Sequence, residues 1–139
     1  MAVSLDSGAD PTLAAEVNRR LLAYTQARSA QFKGQWRKLQ IFAKDEEGAL
    51  VGGIDCQTKG IWLEVGPFWL DEAYRGQGLG TRIMDQAEEQ ARARGCTKAY
   101  VDTFSFQAPA FYKGRGYRVW GTLPDYPPGH AYHLLVKEL

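Results

Sequence analysis

Three glycines fall within five residues, Gly76, Gly78 and Gly80, with Arg75 before them and Thr81 after. Loss of Cβ atoms at that density suits a backbone that turns sharply and is approached closely. Residues 78–93 carry a helical pattern, and a helix leaves its first amide N–H groups unpaired beneath roughly half a positive charge. The chemistry open to such a junction is the holding of a phosphate or diphosphate, with the Arg75 guanidinium as a further cation. A P-loop is excluded because no Lys-Ser or Lys-Thr pair follows the glycines. A dinucleotide fingerprint would need glycine where Thr81 stands, although Asp102 does lie at the distance that motif asks for. A glycine-rich turn without a ligand is the third reading. Cys56 and Cys96 stand alone without metal-ligand spacing, so they read as buried thiols in a reducing compartment and no metal site is expected.

The elements that must position this loop follow from periodicity. Asp10-Pro11 opens a helix over 11–28, in which Leu13, Val17, Leu21 and Tyr24 recur at helical spacing. Residues 3–5 read as a short edge strand or a loose end. From Lys38 the period becomes two, with strands ending near the turn 45–48, then over 49–58 and 61–70. Turns that short make these three strands an antiparallel meander. The helix over 78–93 places Leu79, Ile83, Met84, Ala87 and Ala91 on one face. Arg82, Asp85, Glu88, Glu89 and Arg92 fall on the other, with Glu88 spaced to pair with Arg92. A strand over 97–102 completes a βαβ unit and runs parallel to the third strand. A short helix at 109–113 and strands over 117–123 and 131–137, joined by the loop 124–130, complete a mixed α/β, mostly antiparallel architecture.

The 139 residues, with net charge +1, 45% hydrophobic and 24% charged, describe one domain over 1–139. Near-neutral charge argues against an electrostatically driven nucleic-acid or polybasic membrane binder. There is no run of ~18 apolar residues to span a membrane, and the start MAVSLDSGAD lacks a secretory layout. The cytoplasm is the expected location.

Arg75-Gly76-Gln77-Gly78-Leu79-Gly80 resembles the R/Q-x-x-G-x-G/A signature of the GNAT superfamily of N-acetyltransferases. Ala108-Pro109-Ala110-Phe111-Tyr112-Lys113-Gly114-Arg115-Gly116-Tyr117 is similar to that family's second signature. The resemblance covers roughly residues 38–138. It implies a mixed sheet with one central parallel crossover, splayed central strands and helices on both faces. It also implies an acetyl-coenzyme A site in a single acetyltransferase domain. The main chain of Phe68, Trp69 and Leu70 would pair with the pantetheine arm, and the amides of Arg75, Gly76, Gln77, Gly78, Leu79, Gly80 and Thr81 would hold the pyrophosphate. The family often has Asn seven residues before the signature tyrosine; Ser105 stands there and is shorter, with Gln107 as the alternative amide.

The reaction implied is direct attack of an amine on a thioester. A lysine-like amine with pKa near 10.4 costs about 4.6 kcal/mol to deprotonate at pH 7, and a leaving thiolate benefits from a proton. Tyr112 falls on the signature tyrosine and is the expected acid, with a backbone amide near Trp69 or Leu70 holding the carbonyl oxygen. The resemblance implies Glu64 as the base, six residues before Leu70, where some family members carry a glutamate. Trp62, Glu64, Gly66, Phe68 and Leu70 would share one strand face and raise its pKa; the alternative is a solvated residue on an exposed face. Asp102 and His130 are the other candidates, and the resemblance also allows a relay through water with no single base.

Trp62, Trp69, Phe104, Phe106, Trp120, Tyr126 and Tyr132 flank the expected cleft; most are assigned to the core, and the rest to an acceptor pocket or a homodimer face. The stiff loop Asp125-Tyr126-Pro127-Pro128-Gly129-His130 reads as a rigid turn or a substrate wall. The acceptor is a small-molecule or peptide amine, with no nucleic acid or membrane partner. Two rival functions are a non-catalytic acyl-coenzyme A sensor and a toxin that acetylates charged transfer RNA.

Overall fold

The computed structural model describes residues 2–29 and 35–139. Two compact units divide between residues 33 and 34. In the first, helix α1 spans Pro11–Arg28. The Asp10 carboxylate accepts from the amides of Thr12 and Leu13 at 3.0 and 3.1 Å, satisfying two of the orphan donors of the first turn. Glu16 pairs with Arg19 and Arg20 at 2.5 and 2.6 Å, one turn along the same surface. Residues 3–5 form no strand.

The second unit carries strands β1 (Trp36–Lys44), β2 (Leu50–Lys59), β3 (Trp62–Val65) and β4 (Phe68–Leu70), then α2 (Leu79–Ala93) and β5 (Lys98–Phe104). A short α3 (Pro109–Gly114), β6 (Arg118–Pro124) and β7 (Ala131–Glu138) follow. The seven strands form one sheet in the order β1-β2-β3-β5-β7-β6, with β4 attached to β2 alone. β3 and β5 are parallel and the other pairs antiparallel. Alternation along the strands sends Leu39, Ile54, Cys56, Leu63, Ala99, Val101 and Leu135 to one face. There they bury against Ile83, Met84, Ala87 and Ala91 of α2 and Tyr112 of α3.

The third strand expected over 61–70 is two strands. β2 pairs Gln57 with Glu64, but Ile54 with Phe68, so the β3–β4 side holds one residue more than its partner across this stretch. The extra residue is a bulge at Gly66-Pro67, closed by the Asp55 amide donating to the Pro67 carbonyl at 2.9 Å. A Cβ on Gly66 would lie 1.9 Å from the Asp55 carbonyl oxygen, so only glycine fits. One inserted residue reverses side-chain parity. Phe68 and Leu70 therefore stand opposite Ile54 and Gly52 on the helix-covered face, whereas Glu64 stands opposite Gln57 on the other. The expectation that Glu64 shares a face with Phe68 and Leu70 is corrected by this bulge.

Glu88 is a second correction. It does not sit on a solvated face beside Arg92; it is 2% exposed. Its carboxylate takes Arg115 and Lys137 at 2.8 Å each and the Tyr117 hydroxyl at 2.8 Å. Burial alone would raise its pKa, but those three donors outweigh burial and hold it below the usual carboxylate range. The signal was present in the spacing: Glu88 stands four residues after Met84 and three before Ala91, on the apolar stripe itself.

Candidate active site

The glycine loop lies between β4 and α2, after a single 3-10 turn at Glu72–Tyr74. Gly76 and Gly78 have φ of +73° and +83°, the left-handed region open to glycine. Gly78 caps α2 without a side-chain hydrogen bond. The first amide there with a main-chain acceptor is that of Arg82, onto the Gly78 carbonyl at 3.1 Å; among the described residues the amides of 76–81 have none. No atom lies within 4 Å of where a Cβ on Gly76 or Gly78 would stand. Arg75 donates from Nε to the Leu70 carbonyl at 3.2 Å, which tethers its guanidinium beside the loop. An open, uncapped set of N–H donors next to a tethered cation fits a diphosphate.

The ladder between β3 and β5 ends at Val65 and Val101, and β4 beyond the bulge pairs only with β2. The gap between β4 and the end of β5 opens a cavity of about 1050 Å³, lined by both sheet faces. Phe68, Leu70, Gly80, Phe111 and Tyr112 line it on the helix-covered side, and Glu64, Trp69, Tyr100, Asp102 and Phe104 on the other. Arg75 and Gln107 also line it, while Ser105 and His130 do not.

Tyr112 is 6% exposed, its ring edge-on to Phe111 and Tyr117 at 5.3 and 5.6 Å. Burial first, then the neighbouring Cys56 and Asp102, push its phenol up to about 12. It is therefore a protonated donor at neutral pH. Glu64 does not have the raised pKa expected of it. Burial pulls upward, but Lys59 at 2.5 Å and the Tyr100 hydroxyl at 2.6 Å outweigh it, so the carboxyl titrates below its ordinary value. A carboxylate so engaged is a poor proton acceptor and a good fixed negative charge.

Ser105 is spent elsewhere. Its hydroxyl accepts from the Ala131 amide at 3.0 Å and its amide donates to the Ala131 carbonyl at 2.8 Å, fastening the β5–α3 turn to β7. Gln107 caps the same turn, its Oε1 accepting from the Phe104 amide at 2.9 Å. Of the seven flanking aromatics, none is buried, contrary to the core assignment of most of them. Trp69, Phe104, Phe106, Tyr126 and Tyr132 line the cavity instead. Parity along β5 and β7 put Phe104 and Tyr132 side by side; no sequence signal placed the loop ring of Tyr126 against them.

The family model described as the Acetyltransferase (GNAT) family matches residues 10–117. Blasticidin-S acetyltransferase of Streptomyces morookaense is 46% identical over 107 residues, 74% of this chain and 79% of that protein. An acetyltransferase of Agrobacterium fabrum is 32% identical over 134 residues, 96% of each chain. The crystal structure of an acetyltransferase from Bacillus cereus superposes with a TM-score of 0.89 at 29% identity, covering 98% of both chains.

Proposed function

The chain belongs to the GNAT family of acetyltransferases and is an acetyl-CoA-dependent N-acetyltransferase, and from that premise we propose how its own residues divide the work. The amides of Gly76, Gln77, Gly78, Leu79, Gly80 and Thr81, with the Arg75 guanidinium, hold the diphosphate. The free edge of Phe68, Trp69 and Leu70 would pair with the pantetheine arm, and Gln107 lines the same cavity. When bound, acetyl-CoA supplies the acetyl group as a thioester. With the thioester bound, Tyr112 would supply its phenolic proton to the leaving sulfur from the helix-covered face. An amide near Trp69 or Leu70 would stabilise the charge that develops on the carbonyl oxygen. Glu64, held ionised by Lys59 and Tyr100, holds and orients the amine on the opposite face, and the amine's own proton leaves to solvent through the open cavity mouth. The carrying observation is that the cavity passes from one sheet face to the other, so that donor and acceptor meet from opposite sides.

The acceptor in this reading is a small-molecule amine, for which blasticidin S is the first compound to try because of the Streptomyces relative. Residues 1–139 act as one domain, since the family match runs across the boundary between the two units. The cytoplasm suits two free, buried cysteines. No helix among the described residues is long and apolar enough to cross a membrane.

The test is a titration of coenzyme A followed by thiol-release kinetics against blasticidin S and a panel of primary amines. Turnover that depends on Tyr112 supports the assignment. Tight coenzyme A binding with no turnover across the panel would instead favour a sensor.

A further inference from the structure

On the sheet face of Glu64, four rings gather at the end of β5 from three separate segments. Phe104 ends the strand, Phe106 lies in the turn toward α3, Tyr126 comes from the β6–β7 loop and Tyr132 from the start of β7. Phe104 stacks on Phe106 at 5.2 Å and 14°, and on Tyr126 at 5.5 Å and 29°. Tyr132 lies 4.8 Å from Phe104 and 5.3 Å from Tyr126. These rings line the cavity, yet Phe106 is 55% and Tyr126 51% exposed. Packing the loop accounts for them only in part: Phe106, with about half of its surface still open, lies edge-on at 5.0 Å to His130 of that loop. The backbone already closes it, through the His130 amide on the Pro127 carbonyl at 2.9 Å and the Ala131 amide on Ser105. A contiguous apolar surface left open at a cavity mouth marks a binding surface.

Asp102 sets the charge of that surface. It shares the β5 face of Tyr100 and Phe104 and lies against the Tyr132 phenol, which burial first and then Asp102 push up to about 12. Glu64 keeps its charge but shares it with Lys59. Asp102, among the described residues, forms no ion pair. An unbalanced carboxylate beside exposed ring faces complements a group that is both flat and positive. The ring quadrupoles attract a cation, their faces stack on a plane, and the carboxylate supplies the counter-charge.

We propose that Phe104, Phe106, Tyr126, Tyr132 and Asp102 select an acceptor whose reacting amine is tethered to a flat, delocalised cation, of the guanidinium or protonated aminoheterocycle class. This rests on the acetyltransferase reading above and names the acceptor class for the same cavity.

Four amines of similar reach separate the two properties: agmatine (flat and cationic), 4-phenylbutylamine (flat only), 1,5-diaminopentane (cationic only) and pentylamine (neither). With acetyl-CoA saturating, agmatine is expected to exceed each of the others in kcat/KM by about tenfold, through KM. Phe106→Ala and Tyr126→Ala, at exposed positions, each narrow the agmatine-to-pentylamine ratio about tenfold. Asp102→Asn weakens agmatine and 1,5-diaminopentane but not 4-phenylbutylamine. Coenzyme A affinity reports that each variant is folded. Equal use of the four amines, or a preference that survives the Phe106→Ala/Tyr126→Ala double variant, overturns the proposal. If blasticidin S is acetylated while agmatine is used no better than pentylamine, only this inference fails. If no amine is acetylated although coenzyme A binds, the catalytic reading itself fails and takes this one with it.

Discussion

Tyr112 and Glu64 are both ionisable and both line the cavity, yet their surroundings push them to opposite tasks. The phenol, raised to about 12 by burial, keeps its proton throughout the neutral range and can only give it. Tyr112→Phe keeps the ring packing against Phe111 and Tyr117 and removes only the donor. We expect kcat to fall about 10²- to 10³-fold, with the coenzyme A dissociation constant changed less than twofold, as read by parallel kinetics and calorimetry. A matching loss in both would make the residue a packing group. For Glu64 the sign runs the other way. Its carboxyl titrates below the ordinary value, so it is ionised at neutral pH and contributes no acidic limb there. Glu64→Gln should therefore leave the acidic limb of the kcat/KM profile in place and raise the acceptor KM several-fold. A displaced limb would restore Glu64 as the general base.

At the scale of elements, the junction of β4 with α2 trades local capping for an open donor set. Gly78 occupies the cap with φ of +83° and offers no side chain to the first-turn amides. An aspartate there would be strained at that φ, unlike Asp10, which caps α1 from an extended backbone at φ −127°. Gly78→Asp is therefore expected to lower the melting temperature by several degrees, a loss that binding measured well below the transition separates from the effect on the ligand. Loss of about two charge-assisted hydrogen bonds and added repulsion should weaken coenzyme A binding about a hundredfold. Isothermal titration beside thermal melting would measure both, and retained affinity would move the diphosphate site elsewhere. The Gly66-Pro67 bulge does a second job at this scale. By inserting one residue it detaches β4 from β5 and sends Glu64 and Phe68 to opposite faces, so that one cavity presents different chemistry on its two sides.

Across the whole second unit, Glu88 ties α2 to Arg115 and Tyr117 beyond α3 and to Lys137 on β7. These segments carry or flank both walls of the cavity. Glu88→Ala would leave Arg115 and Lys137 facing an uncompensated site, and we expect a loss of about 3 to 5 kcal/mol in urea unfolding. Glu88's folded pKa is depressed. Its contribution is therefore present above the unfolded value near pH 4.3 and is lost as pH falls through the folded one. Glu88→Gln should flatten the acid side of the stability profile below about pH 4.5; an unchanged slope would show that the network is electrostatically idle.

Local pattern was enough for much of this protein. The order of elements, the parallel crossover and the glycine loop at a helix start follow from period, turn chemistry and missing Cβ atoms, which act over a few residues. The two signature motifs were likewise visible as strings, and with them the place of Tyr112. Tertiary structure decided what depends on registration between distant segments. A single bulged residue chose the face of Glu64, and Lys59 and Tyr100 then chose its charge state. Ser105 was claimed by the β7 backbone, and Glu88 found cations 27 and 49 residues away. The aromatic floor likewise draws on three segments. Side-chain parity and ionisation answer to neighbours across the sheet, and those neighbours exist only once the chain has folded.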